Sequence, residues 1–483
     1  MKHHSWERKD TIILTIILVV AFLLRLYRID APLGDFHSWR QADTAAVARN
    51  FERNGFNLLK PQYDDLSNLQ SGIDNPNGYR FVEFPIYNAI FAGLHSVFPQ
   101  YSLETWGRIV ASLFSLLCIA ALYYLTRAEV GRIAAQFAAL TYAIMPFFVY
   151  FSRVILPETP AVSTAIVGIA LLRMFIMEAK TIKKIALLFA SSLVFGMSLL
   201  IKPTTIFYAL PLFVLFLRTY KFGIPKKIHV FFYFLLAGIP LLIWRYYITH
   251  FPEGIPASDW LISRVNTFEG QKEIFMRPAF FRWIFFERIN NLMLGGYLTS
   301  LLVVGLLQKR SSLFLMSIPV ASLLYLLTFQ GGNVQHAYYQ TIAFPGIAIA
   351  VGMGAQTLIN SPAFLNSFVS TVAVIILFGS SFFFSYFQVK DYYHVPQDLL
   401  QMANIIKTFS APNDKIIADR MGDTTLLYLS DRKGSPLLYK EPEEFKSMGY
   451  SYVLADKSEI IEKLKTASYR VLFENSQFAL FAL

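Results

Sequence analysis

The chain has 483 residues, of which 55% are hydrophobic, and its formal net charge is +11. The apolar residues stand in long blocks separated by short basic loops. This excludes an ordinary soluble domain and explains the positive charge better than a nucleic-acid partner does. The one cysteine, Cys118, lies in an apolar block, which excludes an intramolecular disulfide framework and a cysteine-based metal site.

The first apolar block, residues 11–24, follows a basic N-terminal stretch, as the apolar region of a signal peptide would. Arg25 and Arg28 come after it, however, instead of the small residues of a cleavage site. We therefore interpret the block as a retained first transmembrane helix. Its flanking arginines are expected to extend their long side chains to the membrane interface.

About ten further blocks approach the roughly 20 apolar residues that a transmembrane helix needs. They cover residues 103–126, 133–151, 160–178, 184–201, 203–217, 228–248, 289–307, 311–329, 340–359 and 367–388. The sequence therefore predicts an all-α polytopic membrane protein with about eleven transmembrane helices.

The placement of the basic residues predicts a cytoplasmic N-terminus, because Lys and Arg gather in short loops on the cytoplasmic side of membrane proteins. Under this orientation the inner loops hold Arg127, Arg132, Lys180, Lys183, Lys184, Arg218, Lys226, Lys227, Lys309 and Arg310. Residues 29–102, residues 249–288 and everything beyond about 389 then lie outside. The chain is thus predicted to be a multi-pass protein of a bacterial inner membrane or a plasma membrane.

The sequence changes character at about residue 389. Residues 1–388 are predicted to form a transmembrane domain that includes the large first outer loop, and residues 389–483 a small extracytoplasmic α/β domain. A helical pattern covers 458–467 in the latter. Short apolar runs that indicate strands cover residues 415–418, 450–455, 470–473 and 478–483.

Residues 43–54 of the first outer loop place apolar and charged side chains on different faces of a helix. This pattern is typical of a helix that lies on the membrane surface. Asp43, at the start of the stretch, is a good N-cap by residue type, so we assign it a structural role.

The densest set of reactive side chains comes just before that helix, with Asp35, His37, Trp39, Arg40 and Gln41 close together in the sequence. Asp35 could act as a general base that takes a proton from a hydroxyl nucleophile. Arg40 offers planar donors that suit a phosphate. The alternative is a solvated polar loop with a helix cap.

Three further charged groups belong to the predicted outer face. Glu83 stands among apolar and aromatic residues, where a lone carboxylate is costly, and an ion pair with Arg80 is the alternative to a catalytic role. Arg153 and Glu158 lie in a short outer turn. Lys202 lies at an outer helix end, where a lysine is disfavoured, although a lone lysine can also extend to the interface.

A polar and aromatic loop, with His336, Tyr338 and Tyr339, precedes the tenth predicted span and could line a site for a polyanionic head group. Interfacial aromatic belt residues are the alternative. Arg245 and His250 end the seventh span on the same predicted face. Glu83 and His250 could meet around a divalent metal ion, but two ligands are too few to assign one, so no cofactor is firmly predicted. We find no Walker loop, dinucleotide-binding motif or zincin motif in the sequence.

The chain resembles the GT-C superfamily of glycosyltransferases that use polyprenyl-phosphate sugars, in the branch of protein O-mannosyltransferases and lipid A aminoarabinose transferases. The resemblance covers about residues 11–388. It rests on Asp35-x-His37-x-Trp39-Arg40-Gln41, on Glu83-Phe84-Pro85, on Arg153 to Glu158, and on His336-Ala337-Tyr338-Tyr339 before a helix that holds Pro345.

By this resemblance, Asp35, Glu83 and Glu158 are the catalytic acids, and Asp35 is the base that acts on the acceptor hydroxyl. In some relatives the acid at the position of Glu83 contacts a metal. The resemblance and the charges of the outer face together assign the donor phosphate to Arg40, Arg153, Lys202, Arg245, His336, Tyr338 and Tyr339. Phe84 stands where the aminoarabinose branch has a phosphate-binding lysine, which argues against an aminoarabinose donor.

The resemblance implies transfer of a sugar from a polyprenyl-phosphate carrier to a hydroxyl of a glycolipid, a polymer or a protein at the outer membrane face. A base opposite the leaving group predicts inversion at the anomeric carbon. The expected partners are this donor, the acceptor and membrane lipids, with no nucleic acid. A lipid-linked polysaccharide polymerase or ligase and a transporter or flippase are the alternatives.

Overall fold

The computed structural model describes residues 6–257, 278–308, 312–361 and 366–483. Lys309 and Arg310, which enter the predicted orientation, and residues 258–277 of the predicted outer segment 249–288 lie outside these ranges. The described residues pack into two compact units. The first is formed by the described parts of 1–29, 108–246 and 258–391, and the second by 30–107, 247–257 and 392–483.

The α-helices, in chain order, are α1 (Arg8–Arg25), α2 (Ser38–Asn54), α3 (Ile86–Val97), α4 (Leu103–Glu129), α5 (Arg132–Ile144), α6 (Pro146–Phe151), α7 (Glu158–Met177), α8 (Thr181–Ile201), α9 (Ala209–Tyr220), α10 (Ile228–Ile248), α11 (Pro278–Phe281), α12 (Leu298–Leu306), α13 (Leu313–Thr328), α14 (Gln330–Gln335), α15 (Phe344–Asn360), α16 (Ser367–Val389), α17 (Gln397–Phe409), α18 (Thr425–Ser430), α19 (Pro442–Ser447) and α20 (Ser458–Thr466). The 3₁₀ helices are Pro203–Tyr208, Lys221–Lys226, Pro252–Gly254, Ala337–Ala343 and Lys390–Tyr393, and Arg282–Met293 is a π-helix.

The membrane fold predicted from the sequence is confirmed. Each predicted span coincides with helical structure, and among the described residues seven helices are long and apolar enough to cross a membrane. Two of the predicted spans are interrupted. The span 133–151 divides at Met145 into α5 and α6, and the span 289–307 divides into the end of the π-helix and α12.

Close helix contacts hold the first unit together around α15. Gly352 faces α5 so closely that a Cβ atom there would lie 2.3 Å from the carbonyl oxygen of Ala134. Gly354 faces α12, where a Cβ atom would lie 1.8 Å from the carbonyl oxygen of Leu301. Helices in a bilayer gain stability mainly from such close packing, because lipid offers no hydrophobic driving force between them. The two glycines therefore allow α15 to lie at the centre of the bundle.

The break between α5 and α6 is bridged by Arg25 of α1. Pro146 has no N–H group, so it cannot donate to the carbonyl of Tyr142 four residues before it. The fully buried Arg25 donates instead to the carbonyls of Tyr142 and Ala143, both at 3.1 Å, and to Ser152 Oγ at 2.9 Å. The expectation that Arg25 extends to the membrane interface is therefore wrong. Its donors replace the hydrogen bonds that the proline removes.

Arg25→Met should lower the free energy of unfolding by at least about 2 kcal/mol, because it leaves buried carbonyls without donors. The measurement is denaturant unfolding of the purified protein in detergent micelles. Arg8→Met, at an exposed position of the same helix, is the matched control and should change little. Equal stability of the two variants would contradict the bridging role.

The C-terminal part of the second unit is the predicted α/β fold, also confirmed. Its strands are β1 (Lys415–Asp419), β2 (Gly434–Ser435), β3 (Tyr450–Ala455), β4 (Arg470–Glu474) and β5 (Ala479–Ala482). They form one sheet in the order β2-β1-β3-β5-β4, in which β1 is parallel to β2 and β3, and β5 is antiparallel to β3 and β4. Apolar residues of α17 and α18 cover part of the sheet.

Residues of the first outer loop join this sheet at its β2 edge. The N–H of Gly434 donates to the carbonyl of Asp64 at 2.9 Å, and the N–H of Leu66 donates to the carbonyl of Gly434 at 2.7 Å. By packing, residues 30–107 thus belong with 392–483. The sequence-based division near residue 389 stays a prediction.

Helix α2 confirms the helix predicted at 43–54, but its polar side is not a solvent face. Arg49 lies 4.2 Å over the ring of Tyr428, donates to the carbonyl of that residue and forms ion pairs with Asp64 and Asp431. Most of α2 is buried in the second unit. Its charged residues therefore serve contacts within the unit, where the sequence pattern suggested a helix lying on a membrane.

Candidate functional site

Asp35, in the segment before α2, is buried, with only 4% of its surface exposed. The side-chain amide of Gln41, in the first turns of α2, donates to Asp35 Oδ1 at 2.7 Å and to the carbonyl of Phe36 at 3.2 Å. Between them, His37 adopts a left-handed backbone (φ 59°) at the N-cap of α2 and its ring packs against Phe36. One oxygen of the carboxylate is thus held in a fixed direction by the helix.

Arg40 and Glu83 form an ion pair in the same unit, with the Arg40 side chain 4% and the Glu83 side chain 12% exposed. The sequence offered an ion pair between Glu83 and Arg80. Arg80 pairs with Asp43 instead, with its Nη2 2.8 Å from Asp43 Oδ2. A buried guanidinium thus pairs with each of the two acids, Glu83 and Asp43. The carbonyl of Trp39 accepts a hydrogen bond from the Thr424 hydroxyl.

Asp43 is not a helix cap. The helix begins at Ser38, so Asp43 lies inside it, fully buried and hydrogen-bonded by the Thr424 hydroxyl at 2.7 Å. Burial raises the pKa of its carboxyl, while the neighbouring Arg80 and Arg40 oppose the shift. The N-cap prediction fails because the loop before α2 folds into the helix earlier than residue type alone suggests.

Asp65 gives the second unit a pH-dependent stability. Burial raises the pKa of its carboxyl to about 6, although it accepts from the N–H of Ser67 at 2.8 Å. The folded state therefore holds the proton more tightly than the unfolded chain, whose Asp pKa is about 3.9. The stabilisation is fully present below about pH 4 and is lost as the pH rises through about 6.

Asp65→Asn should remove this dependence, so that between pH 4 and pH 6 the free energy of unfolding falls by about 2 kcal/mol less than in the unchanged protein. Urea unfolding of the protein in micelles at a series of pH values measures it. Asp74→Asn, at a partly exposed ion-paired aspartate of the same loop, is the control. Parallel pH profiles of the unchanged protein and Asp65→Asn would contradict the assignment.

In the first unit, Glu158 and Lys202 form a buried ion pair, with Lys202 Nζ 2.6 Å from Glu158 Oε1. Glu158 is the first residue of α7, and Lys202 follows the last residue of α8, where Pro203 begins a 3₁₀ turn. The ammonium group also lies 5.5 Å from the ring centroid of Tyr339. Two helix ends thus hold a cation and an acid in contact.

The aromatic residues of the loop before α15 stack on one another next to that pair. The ring centroids of His336 and Tyr338 are 5.4 Å apart, and those of Tyr338 and Tyr339 are 5.1 Å apart. Tyr338 is only 2% exposed, so it is not a belt residue facing lipid. The Tyr325 hydroxyl donates to the carbonyl of Tyr339 at 3.0 Å and fixes the loop.

The other predicted residues occupy different surroundings. Arg153 is fully buried in the first unit and donates to the carbonyl of Arg28 at 3.0 Å. Arg245 is exposed near the end of α10. His250, in the second unit, is exposed, with its Nδ1 3.0 Å from the carbonyl oxygen of Tyr247. Within the described ranges no group of three or more His, Cys, Asp or Glu side chains could hold a metal ion.

Two buried acids of the first unit were not singled out from the sequence. Asp10 pairs with Arg127 and Arg132, and Glu129 pairs with Arg173 and Arg218. The sequence did contain a signal for Asp10 and Glu129, because acids within or next to apolar blocks are rare and need partners. Three of these arginines, Arg127, Arg132 and Arg218, belong to the predicted inner loops, so the pairs explain part of the positive charge structurally.

The family described as dolichyl-phosphate-mannose-protein mannosyltransferase matches residues 82–244, about a third of the chain. No curated protein matches the sequence significantly. Among solved structures, ArnT from Cupriavidus metallidurans bound to undecaprenyl phosphate has a TM-score of 0.63 at 13% identity, with 98% of this chain and 97% of that one covered.

Two other structures are similar at lower TM-scores. The archaeal oligosaccharyltransferase AglB from Archaeoglobus fulgidus, in complex with an inhibitory peptide and a dolichol-phosphate, has a TM-score of 0.59 at 13% identity, over 94% of this chain and 70% of that one. The arabinofuranosyltransferase AftD from Mycobacteria has a TM-score of 0.55 at 11% identity, over 100% of this chain and 42% of that one. The partial family match and the shared fold together confirm the predicted resemblance to the GT-C superfamily of membrane glycosyltransferases.

Proposed function

We propose that this protein transfers a sugar from a polyprenyl-phosphate carrier to an acceptor hydroxyl at the outer face of the membrane, with inversion at the anomeric carbon. The observation that carries the proposal is the buried Asp35 carboxylate, oriented by Gln41 in the loop that the sequence singled out. The family match and the fold support this choice of reaction class.

Asp35 is the proposed general base. Its Oδ1 is held by Gln41, and its Oδ2 takes the proton as the acceptor oxygen forms its bond to the anomeric carbon. The bond from that carbon to the phosphate oxygen breaks, and its electron pair leaves with the lipid phosphate. An attack from the side opposite the leaving group inverts the anomeric centre.

Stabilisation of the leaving phosphate is proposed for the cations of the first unit and for Arg40. Lys202, held in place by its ion pair with Glu158, is the proposed cation for a phosphate oxygen. The hydroxyls of Tyr338 and Tyr339, the His336 imidazole and the guanidinium groups of Arg153 and Arg245 are the further proposed donors. Charge that develops on the leaving group is stabilised most by donors already held in place.

A hexose is the proposed donor sugar, a pentose the alternative within the same reaction class. The matched family is named for a mannose donor, and Phe84 replaces the lysine expected of an aminoarabinose donor. Glu83 is proposed as an acid of the donor site because Arg40 holds it in place. The N-terminus is proposed to be cytoplasmic, with the second unit outside.

The test is an assay of the purified protein with polyprenyl-phosphate mannose and related monosaccharide donors. Transfer to an acceptor hydroxyl with inversion supports the proposal, and retention at the product anomeric carbon overturns the mechanism. Transport of the lipid-linked sugar without bond formation would favour a flippase. Transfer from a lipid-linked oligosaccharide alone would favour a polymerase or ligase.

A further inference from the structure

A polar cavity of about 140 Å³ opens beside the C-terminal end of α2, in the second unit. Its lining is rich in side-chain amides and also holds one lysine, two aromatic residues and a glycine: Asn50, Asn54, Asn57, Gln62, Lys60, Phe51, Tyr79 and Gly55. Gly55 at its edge has open space where a side chain would begin. The proposed transfer reaction uses none of these residues.

The amides of the cavity are held in place by hydrogen bonds. Asn54 Nδ2 donates to Gln62 Oε1 at 2.8 Å, and Gln62 Nε2 donates to the carbonyl of Asn77 at 2.9 Å. Asn57 Oδ1 accepts from the N–H of Leu59 at 3.2 Å. A carboxamide has two N–H donors and an oxygen with two lone pairs, so each of these groups keeps further hydrogen-bonding capacity.

Asn50 contributes a buried acceptor to the cavity. The residue is 3% exposed, and its Nδ2 donates to the carbonyl of Ala46 and to Asp64 Oδ1, which fixes which atom is nitrogen and which is oxygen. Within the described structure its Oδ1 has no hydrogen-bond partner. A buried acceptor without a donor is costly, so a ligand hydroxyl that reaches this oxygen through a small shift of the cavity wall is favoured.

The chemistry of this lining fits a sugar. Each sugar hydroxyl both donates and accepts, as each carboxamide does. An anionic group fits poorly, because the C-terminal end of a helix carries partial negative charge and Lys60 is the one cation of the lining. A peptide strand would need a sheet edge or apolar pockets for its side chains.

We propose that this cavity binds a sugar unit of the acceptor, and that the acceptor is an extended glycan. The inference rests on the proposed function, with Asp35 as the base. Along helix α2, the cavity residues Asn50 and Asn54 lie about 18 Å and about 24 Å from Ser38, the helix start next to the Asp35 segment, at about 1.5 Å per residue. A single sugar cannot span that length, so the ligand that engages both ends is an oligosaccharide or polysaccharide chain.

Binding to an array of surface-polysaccharide fragments of varied composition, without any donor lipid, tests the inference. The full-length protein in micelles is compared with Asn54→Ala/Gln62→Ala, which should bind glycans at least about tenfold more weakly because two hydrogen-bonding partners are lost. Asn404→Ala/Gln477→Ala removes the same residue types from exposed positions elsewhere in the second unit, and should bind like the unchanged protein. Asn57→Trp, which fills the cavity, should abolish binding.

Every outcome of this experiment either supports or overturns the proposed glycan-binding cavity. Loss of glycan binding in both cavity variants, with the control intact, supports the site. Undiminished binding in those variants, no binding of any array glycan to the unchanged protein, or preferential binding of a Ser/Thr-rich peptide overturns it. Asp35→Asn should still bind the glycan, because the base is not part of the cavity. Glycan binding by the unchanged protein without any sugar transfer would count against the proposed reaction alone.

Discussion

Asp35→Asn is expected to lower the rate of sugar transfer at least about a hundredfold while the protein stays folded and inserted. Asparagine has nearly the same shape, and its side-chain oxygen can still accept from Gln41 Nε2, but it cannot take up a proton. The loss should fall on kcat, with little change in KM for the lipid donor, because the base acts on the acceptor hydroxyl. Initial rates of the purified variant measure both constants.

The control for this variant is Asp30→Asn, an exposed aspartate five positions earlier in the same loop. It removes the same charge and should leave the rate near that of the unchanged protein. Full activity of Asp35→Asn would remove Asp35 from the mechanism. The base would then be sought at Glu83 or Glu158.

Lys202→Met should both abolish transfer and destabilise the protein by about 3–5 kcal/mol, because it leaves the Glu158 carboxylate buried without its cation. Glu158 is 1% exposed, so water cannot replace the lost partner. Unfolding in micelles, followed by loss of the native gel-filtration peak, measures the stability of the variant. A stability equal to that of the unchanged protein would contradict the pairing.

The variant Lys202→Met/Glu158→Gln separates the two effects. Removing both charges avoids an unpaired buried ion, so the stability should return to within about 1–2 kcal/mol of the unchanged protein. Transfer should remain lost, since no ammonium is left to meet the phosphate. Activity in a stable double variant would show that the pair serves only the fold.

The bundle could be predicted from the sequence because its signal is local. A block of about 20 apolar residues needs a helix in lipid whatever surrounds it, and each predicted span proved helical. Strands β1, β3, β4 and β5 were also found from short apolar runs, whereas the two-residue strand β2 was not predicted. The break at Met145 was missed, although Pro146 was visible, because proline can also lie in a continuous transmembrane helix when other donors replace its hydrogen bond.

The partners of charged side chains could not be predicted, because they depend on the whole fold. Arg25 lies at the end of an apolar block, where snorkelling to the interface was the plain expectation, yet it meets carbonyls of α5. Glu83 pairs with Arg40 and not with its neighbour Arg80. The residue types of the candidate site were therefore visible in the sequence, but their pairs were not.

The first outer loop packs against the C-terminal sheet, so the second unit can fold only after the C-terminal residues have been synthesised. The contact of Arg49 with Tyr428 joins residues 379 positions apart. The ribosome adds about 5–20 residues per second, so Tyr428 is synthesised roughly 20–80 s after Arg49. A ribosome that stalls late would thus leave the Asp35 segment without the surface against which α2 folds, so an unfinished chain should be inactive and a target for proteolysis.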